Sequence, residues 1–314
     1  MARLVTARRE GMTASPGPRS APALLRGLLQ VARPKQWLKN VLVLAAPGAA
    51  GVLQHRHTAL LAFGAFGLFC LAASGTYCIN DTLDAAADRL HPVKRHRPVA
   101  AGIVSPLVAV TVGSAALAVA VALAWVMAGS HLALVIAIYA AVVTAYSVRL
   151  KHEPIIDLAC VSSGFVLRGI AGGVATGIEL TNWFLIVATF GSLLVVAGKR
   201  SAEHADLGES RAEIRRTLGT YPPTFLRSVR LIAASVLVTA YCQWAFGRAP
   251  ALGSGHHPMW FELSILPFVL AVLHLELRFE TGHGGAPEDL ALGDRTLQVL
   301  GLLWATLFAI GIYA

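Results

Sequence analysis

The stretch LVAVTVGSAALAVAVALAWVMA, residues 107–128, decides the fold class, because it is a long apolar run without a charged side chain. A second stretch of the same kind, HLALVIAIYAAVVTAYSVR, follows at residues 131–149. About 20 predominantly apolar residues suffice for an α-helix to cross the hydrocarbon core of a bilayer. We therefore expect two consecutive membrane-spanning helices here, joined by a tight turn at residues 129–130.

The rest of the chain has the same character. Of its 314 residues 56% are hydrophobic and 14% charged, and the mean hydropathy is +0.64, whereas soluble domains carry about 25% charged residues. The sequence predicts an all-α, polytopic membrane protein. Nine spans are expected, near residues 38–53, 59–79, 107–128, 131–149, 155–175, 183–199, 229–247, 259–278 and 297–314.

Basic residues are distributed unequally between the two ends of these spans. With a cytosolic N-terminus, only Arg56 and Arg248 of the 26 lysines and arginines fall in outer connections, and Arg168 lies within a span. Such asymmetry is the positive-inside rule. It accounts for the net charge of +9 without a nucleic-acid partner. We expect a multi-pass protein of the plasma (inner) membrane.

The remaining chain organisation is simple. Residues 1–22 are predicted to be a disordered cytosolic tail without the apolar segment of a signal peptide, and residues 23–314 a single transmembrane domain. The four cysteines fall in or at the ends of spans, without metal-ligand spacing, and are expected to be free thiols. The sequence leaves the oligomeric state open, including a homo-oligomer.

Three aspartates follow the second span, in CINDTLDAAADRLHPVKRHRP at residues 78–98. On one helix, Asp81, Asp84 and Asp88 would share a face, where three like charges require a cation. Mg²⁺ takes oxygen ligands, typically one or two carboxylates together with substrate phosphates. The alternative is a solvated helix end neutralised by Arg89 and Lys94.

Basic residues come directly after the aspartates. Lys94, Arg95 and Arg97 stand between prolines that favour an extended segment. Carboxylates that hold Mg²⁺, beside lysine and arginine side chains that take other oxygens, suit a polyphosphate. The alternative is anchoring to anionic lipids.

Three segments resemble the UbiA superfamily of intramembrane prenyltransferases: YCINDTLDAAADRLHPVKRHRP at 77–98, YSVRLK at 146–151 and GFVLRGIAGGVATG at 164–177. The resemblance implies a nine-helix bundle with the active site at its cytosolic mouth. Three further segments, RPKQWLKNVLVLAAP, VAGKRSAEH and APEDLALGDRTLQ, are similar to the superfamily members that use phosphoribosyl pyrophosphate and a polyprenyl phosphate lipid. They imply Mg²⁺-dependent phosphoribosyl transfer, in synthesis of a cell-wall arabinan precursor.

One departure from the superfamily bears on the substrate. General members carry a second D-x-x-x-D motif, where this chain reads KRSAEHAD with Lys199, Arg200, Glu203 and Asp206. More cation and less carboxylate suits a donor with an additional phosphate. A salt-bridged helix surface is the alternative for Glu203 and Asp206.

The predicted site therefore has two groups of residues. Catalytic roles fall to Asp81, Asp84, Asp88, Lys94 and Arg95, the three aspartates also being metal ligands. Substrate-binding roles fall to Lys35, Lys39, Asn40, Asn80, Arg97, Tyr146, Lys151, Arg168, Lys199, Arg200 and Glu203.

Asp157 and Arg168 share a helix face about 16 Å apart, too far to pair directly, and Asp157 is either a cavity residue or a helix N-cap. The acids Glu288, Asp289 and Asp294 of the last inner connection either help to fix ribose or a basic loop or are simply solvated, and the sequence leaves this open.

Two rival functions remain. A UbiA-type prenyltransferase would use the same aspartates to move a prenyl chain from its diphosphate onto an aromatic acceptor, although the missing D-x-x-x-D motif counts against it. A transporter would place its charges near the bilayer midplane, whereas here the acids cluster at one end of the spans.

Phosphoribosyl transfer to a lipid phosphate needs no general base, because this phosphate is already an anion at neutral pH. A catalytic histidine is therefore not expected.

Overall fold

The computed structural model describes residues 21–207, 216–252, 257–282 and 287–313. Within these ranges all regular secondary structure is helical and there is no strand, which confirms the all-α class. Residues 1–20 of the predicted tail lie outside the described ranges. The first helix, α1, begins at Ala21, two residues inside the segment expected to be disordered.

Among the described residues, seven helices are long and apolar enough to cross a membrane, so the protein is a multi-pass membrane protein. In the labelling used below, which numbers all α-helices in chain order, they are α3 (Arg56–Leu83), α5 (Pro106–Val148), α6 (Ile156–Thr176), α7 (Asn182–Leu207), α9 (Pro223–Leu252), α10 (Pro258–Glu280) and α12 (Arg295–Tyr313). The difference from nine predicted spans comes from α5 and from the first predicted span.

Helix α5 has 43 residues and contains the two apolar stretches predicted as separate spans. Its backbone leaves the helical region at Ala128 and at Gly129, whose φ of 78° and ψ of −171° suit glycine. The break therefore lies where the sequence predicts a turn, and the two stretches form the arms of one kinked element.

The first predicted span, 38–53, is not one α-helix. A 3₁₀-helix, Pro34–Leu44, precedes the short α2, Ala45–Ala50. This first segment packs closely on α6: a Cβ added to Gly172 would lie only 1.8 Å from the carbonyl oxygen of Val43. Only glycine permits the two backbones to approach so closely.

Shorter helices cover one end of the bundle, where α3 and α7 end and α6 begins; we call it the charged end. They are α1 (Ala21–Ala32), α4 (Ala85–Leu90), α8 (Arg216–Thr220), α11 (Pro287–Gly293) and two 3₁₀ turns, Lys94–His96 and Leu150–His152. Helix α11 directly precedes α12, the last long helix. Helix α7 continues to Leu207, and residues 208–215 lie outside the described ranges.

Candidate functional site

Asp81 and Asp88 contact the same guanidinium, that of Arg97, at the charged end. One nitrogen of Arg97, Nη1, lies 2.7 Å from an oxygen of Asp88 and 3.4 Å from an oxygen of Asp81. Arg33 approaches Asp81 from the other side, with Nη2 2.5 Å from the same Asp81 oxygen. Both aspartates are almost completely buried, so each carboxylate depends on these charged neighbours.

Asp84 has a different partner. Helix α3 ends at Leu83 and α4 begins at Ala85, so Asp84 occupies the junction. Its carboxylate accepts a hydrogen bond of 2.5 Å from Lys151, which lies in the 3₁₀ turn after α5. The expectation that one continuous helix aligns all three aspartates is therefore wrong: the helix is interrupted at the middle aspartate, which pairs with another connection.

A second group of charged residues surrounds Arg200 near the end of α7. Arg200 donates to both oxygens of Asp157, at 2.8 and 3.1 Å, and to Glu203 at 2.7 Å. The Tyr146 hydroxyl donates to Asp157 at 2.9 Å, and Lys199 lies 4.0 Å from Glu203. We call Tyr146, Asp157, Arg200 and Glu203 the Arg200 cluster.

The Arg200 cluster decides between two interpretations of Asp157. Helix α6 begins at Ile156, with Ile155 at the N-cap position, so the N-cap interpretation of Asp157 is wrong. Its side chain is completely buried and is directed to the guanidinium of another helix. Asp157 therefore joins α6 to α7 through its ion pair with Arg200.

Arg168 lies deeper in the bundle, among neutral partners. It donates to the side-chain oxygen of Asn40 at 2.6 Å, to the Tyr139 hydroxyl at 3.1 Å and to the carbonyl of Gly164 at 2.5 Å. Its guanidinium also lies over the ring of Tyr139, 4.8 Å from the centroid. The prediction that Arg168 does not pair with Asp157 is confirmed.

The structure also describes the other five predicted site residues. Lys35 is exposed on the 3₁₀-helix, Lys39 contacts Gln36 in the same segment, and Arg95 contacts neighbouring His96. Asn80 hydrogen-bonds to Asp81. Lys94 is half-buried in the turn that also holds Arg95.

His91 organises this basic turn without adding charge to it. Its Nδ1 accepts hydrogen bonds from the backbone N–H groups of Val93 and Lys94, at 3.2 and 3.3 Å. Burial, and then the positive charge of Lys94, lower the pKa of His91. A neutral ring at pH 7 keeps the acceptor nitrogen available for the turn.

Sequence reasoning missed two residues of the site. Arg33 has a left-handed backbone conformation, φ 52° and ψ 64°, and its side chain reaches Asp81. Tyr139 sits in the middle of an apolar run and looks like an ordinary core aromatic until its hydroxyl meets Arg168. A lone polar atom in a predicted span is the only signal that could have indicated Tyr139.

The acids of the last connection differ in their surroundings: Asp294 has several polar contacts and Asp289 is exposed. Asp294 accepts from the backbone N–H of Leu297 at 3.0 Å, at the start of α12, and contacts His274 and Arg278. These contacts, the Leu297 N–H first, lower the pKa of Asp294. Asp289 is exposed, and the side chains of Glu288 and Asp206 lie outside the described part of the structure.

The aspartates supply the hard oxygen ligands that Mg²⁺ prefers. Within the described ranges no three acidic, histidine or cysteine side chains are grouped as a metal site; Asp81, Asp84 and Asp88 each contact a basic residue instead. Asp81 and Asp88 nevertheless converge on one nitrogen of Arg97, so a cation already lies between two carboxylates. The donor set and its charge fit a divalent ion.

An all-helical membrane bundle with aspartates at the end of α3 and a charged cluster between α6 and α7 defines a class of membrane transferases. The sequence model described as the UbiA prenyltransferase family matches residues 41–287, and the chain belongs to this family. In fold it is similar to a UbiA homologue from Archaeoglobus fulgidus whose structure contains GPP and Mg²⁺. The TM-score is 0.69 at 19% identity, over 91% of this chain and 98% of that one.

Particular relatives are more similar in sequence. The chain is 44% identical to the decaprenyl-phosphate phosphoribosyltransferase of Corynebacterium glutamicum, over 92% of its own length and 88% of the relative. It is 42% identical to the enzyme of the same name from Mycolicibacterium smegmatis, over 92% and 93%. Similarity thus extends over nearly the whole of each chain.

Proposed function

We propose that the protein transfers a 5-phosphoribosyl group from phosphoribosyl pyrophosphate to a polyprenyl phosphate, decaprenyl phosphate as in the names of its relatives, and releases pyrophosphate. The observation that carries the proposal is the 44% identity to the C. glutamicum enzyme over 92% of the chain. The lipid product would serve as precursor of cell-wall arabinan.

The chemistry requires stabilisation of charge more than proton transfer. The bond between C1 of ribose and the pyrophosphate oxygen breaks, and its electron pair leaves with pyrophosphate. An oxygen of the lipid phosphate forms the new bond to C1. Because this phosphate is already an anion at neutral pH, no general base is needed. The basic residues at the charged end, Arg33, Arg97 and Lys151 among them, can stabilise the leaving group electrostatically.

Asp81 and Asp88, with Asp84, are the residues that would hold Mg²⁺. A bound Mg²⁺ supplies Lewis acidity to the diphosphate oxygens. Arg97, displaced from between Asp81 and Asp88, would be free to contact phosphate. The fold neighbour bound to GPP and Mg²⁺ supports a divalent metal in a protein of this fold.

We further propose nine membrane crossings, with the N-terminus and the charged end in the cytosol. The kink at Gly129 supports two crossings by α5. The first segment has 11 residues of 3₁₀-helix and six of α-helix, about 30 Å in all, the thickness of a hydrocarbon core. On intact cells of a variant without native cysteines, an impermeant maleimide should label Ser130→Cys but not His96→Cys. The reverse pattern would overturn this orientation.

The activity test uses purified protein, phosphoribosyl pyrophosphate labelled in the ribose, and decaprenyl phosphate. We expect label in the lipid phase, an absolute requirement for the lipid phosphate, and loss of product after chelation of divalent metal. Asp84→Asn should lower turnover roughly 100-fold or more. Glu179→Gln is the matched control, because Glu179 is exposed at the opposite end of α6. Label that stays in water, together with consumption of a prenyl diphosphate supplied with an aromatic acceptor in a parallel reaction, would instead support prenyl transfer.

A further inference from the structure

The chain enters α6 through a strained turn. Ile155 has φ 66° and ψ −47°, a conformation that β-branched residues rarely adopt. The N–H of Ile156 donates to the carbonyl of Pro154 at 2.8 Å, which closes a three-residue γ-turn of the rare, strained type. Such conformations persist only where the surrounding structure holds them.

Tyr221 holds this turn from another part of the chain. Its hydroxyl accepts the N–H of Ile155 at 2.7 Å. The ring is buried in an apolar cluster with Leu158, Val196 and Leu226, which come from α6, α7 and α9. Tyr221 therefore lies in a fixed position between α8 and α9, and its hydroxyl gives the N–H of the strained turn a hydrogen-bond partner.

The turn directly precedes an acid of the Arg200 cluster. Asp157 follows Ile155 by two residues and must be aimed at Arg200 and Tyr146 while completely buried. Within the described ranges, only Arg33 and Ile155 combine a side chain with positive φ. The side chain of Arg33 contacts Asp81. Both strained positions are thus linked to an acid of the candidate site, as expected where strain fixes functional geometry.

We propose that Tyr221 is a positioning residue for the transfer reaction: its hydroxyl holds the Ile155 turn, and the turn aims Asp157 at Arg200. This inference rests on the proposed function for its kinetic consequence. The inference means that a residue of the connection before α9, Tyr221, fixes the backbone geometry of the connection before α6. If the Tyr221 hydroxyl only filled space in the apolar cluster, its removal would leave the Ile155 turn unchanged.

The test compares Tyr221→Phe in two backgrounds. In the otherwise unchanged protein, loss of the hydroxyl should lower kcat roughly 10-fold to 100-fold, because small displacements of catalytic groups are costly. In an Ile155→Gly background the turn is no longer strained, since glycine adopts positive φ freely. Tyr221→Phe should then change kcat less than threefold, because the hydroxyl no longer has a strained turn to hold; such non-additivity is expected of residues in direct contact. Equal losses in the two backgrounds, or no loss in the first, would overturn the proposal.

Hydrogen exchange provides a readout that does not require the reaction. Tyr221→Phe should accelerate exchange of the backbone amides of residues 155–160 roughly 10-fold, as expected for one lost hydrogen bond in a locally opening segment. Tyr241→Phe is the matched control: Tyr241 lies far along α9 and is equally buried, and its hydroxyl contacts Ser264 of α10 and Trp304 of α12. It should leave both kcat and exchange at 155–160 unchanged. Unchanged exchange in Tyr221→Phe refutes the positioning role, whereas absent phosphoribosyl transfer in the unmodified protein refutes only the proposed function.

Discussion

Removing either member of the Arg200–Asp157 pair should destabilise the protein, but by different amounts. The two side chains are 3% and 0% exposed, so solvent cannot replace a lost partner. Arg200→Met removes the guanidinium that contacts both oxygens of the buried Asp157 carboxylate, and the loss should be about 3–5 kcal/mol, the usual cost of breaking a buried ion pair by removing one partner. Asp157→Asn is milder, because the amide oxygen can still accept from Arg200, which keeps Glu203 at 2.7 Å.

For Asp157→Asn we expect a loss of about 1–3 kcal/mol, in the range of one charged hydrogen bond. The free energies of unfolding can be measured by titrating the protein from mild detergent into SDS, with helicity or proteolysis as the signal. The double variant should lose less than the sum of the single losses, by about 0.5–3 kcal/mol, because the two residues interact directly. Glu203→Gln, at a side chain that is 25% exposed, is the control and should cost about 1 kcal/mol or less.

The order of the two single variants is the decisive result. Equal losses, or a larger loss for Asp157→Asn, would refute the reasoning that removing the Arg200 guanidinium costs more than neutralising the Asp157 carboxylate. Strict additivity in the double variant would show that the two groups do not stabilise each other, whatever their separation in the structure.

Three further predictions concern packing, a buried polar contact and pH. Gly172→Ala should strongly lower thermal stability, because a Cβ there lies 1.8 Å from a backbone oxygen of the first segment; Gly247→Ala, with no atom within 4 Å of its Cβ, should not. Asn40→Leu should cost about 1.5–3 kcal/mol in the same SDS titration, because it deprives buried Arg168 of an acceptor. Asp294→Asn should destabilise the protein at pH 7 but make no difference in acid. The folded-state pKa of Asp294 is lowered, so its contribution is present above the ordinary aspartate pKa and is lost as pH falls through the folded value; a thermal-unfolding series against pH checks this.

The positions of the membrane segments could be predicted from the sequence. Hydropathy and length are local properties, and a bilayer imposes one thickness on every span. The turn expected at 129–130 therefore coincides with the break at Gly129. The helix type of the first segment could not be predicted in this way. Hydropathy shows that a segment is apolar but does not distinguish a 3₁₀-helix from an α-helix, and Pro34–Leu44 is a 3₁₀-helix.

The sequence by itself also determined which chemical groups collect at the charged end: aspartates after the second span, a basic strip behind them, and a lysine and arginine where acids were expected. Only the tertiary structure decided which groups meet. Asp81 pairs with Arg33, Asp84 with Lys151 and Asn40 with Arg168, across 48, 67 and 128 residues of chain. Spacing along one helix describes neighbours within a few turns, whereas these contacts depend on how separate helices pack. A buried charge takes whichever partner that packing brings within reach.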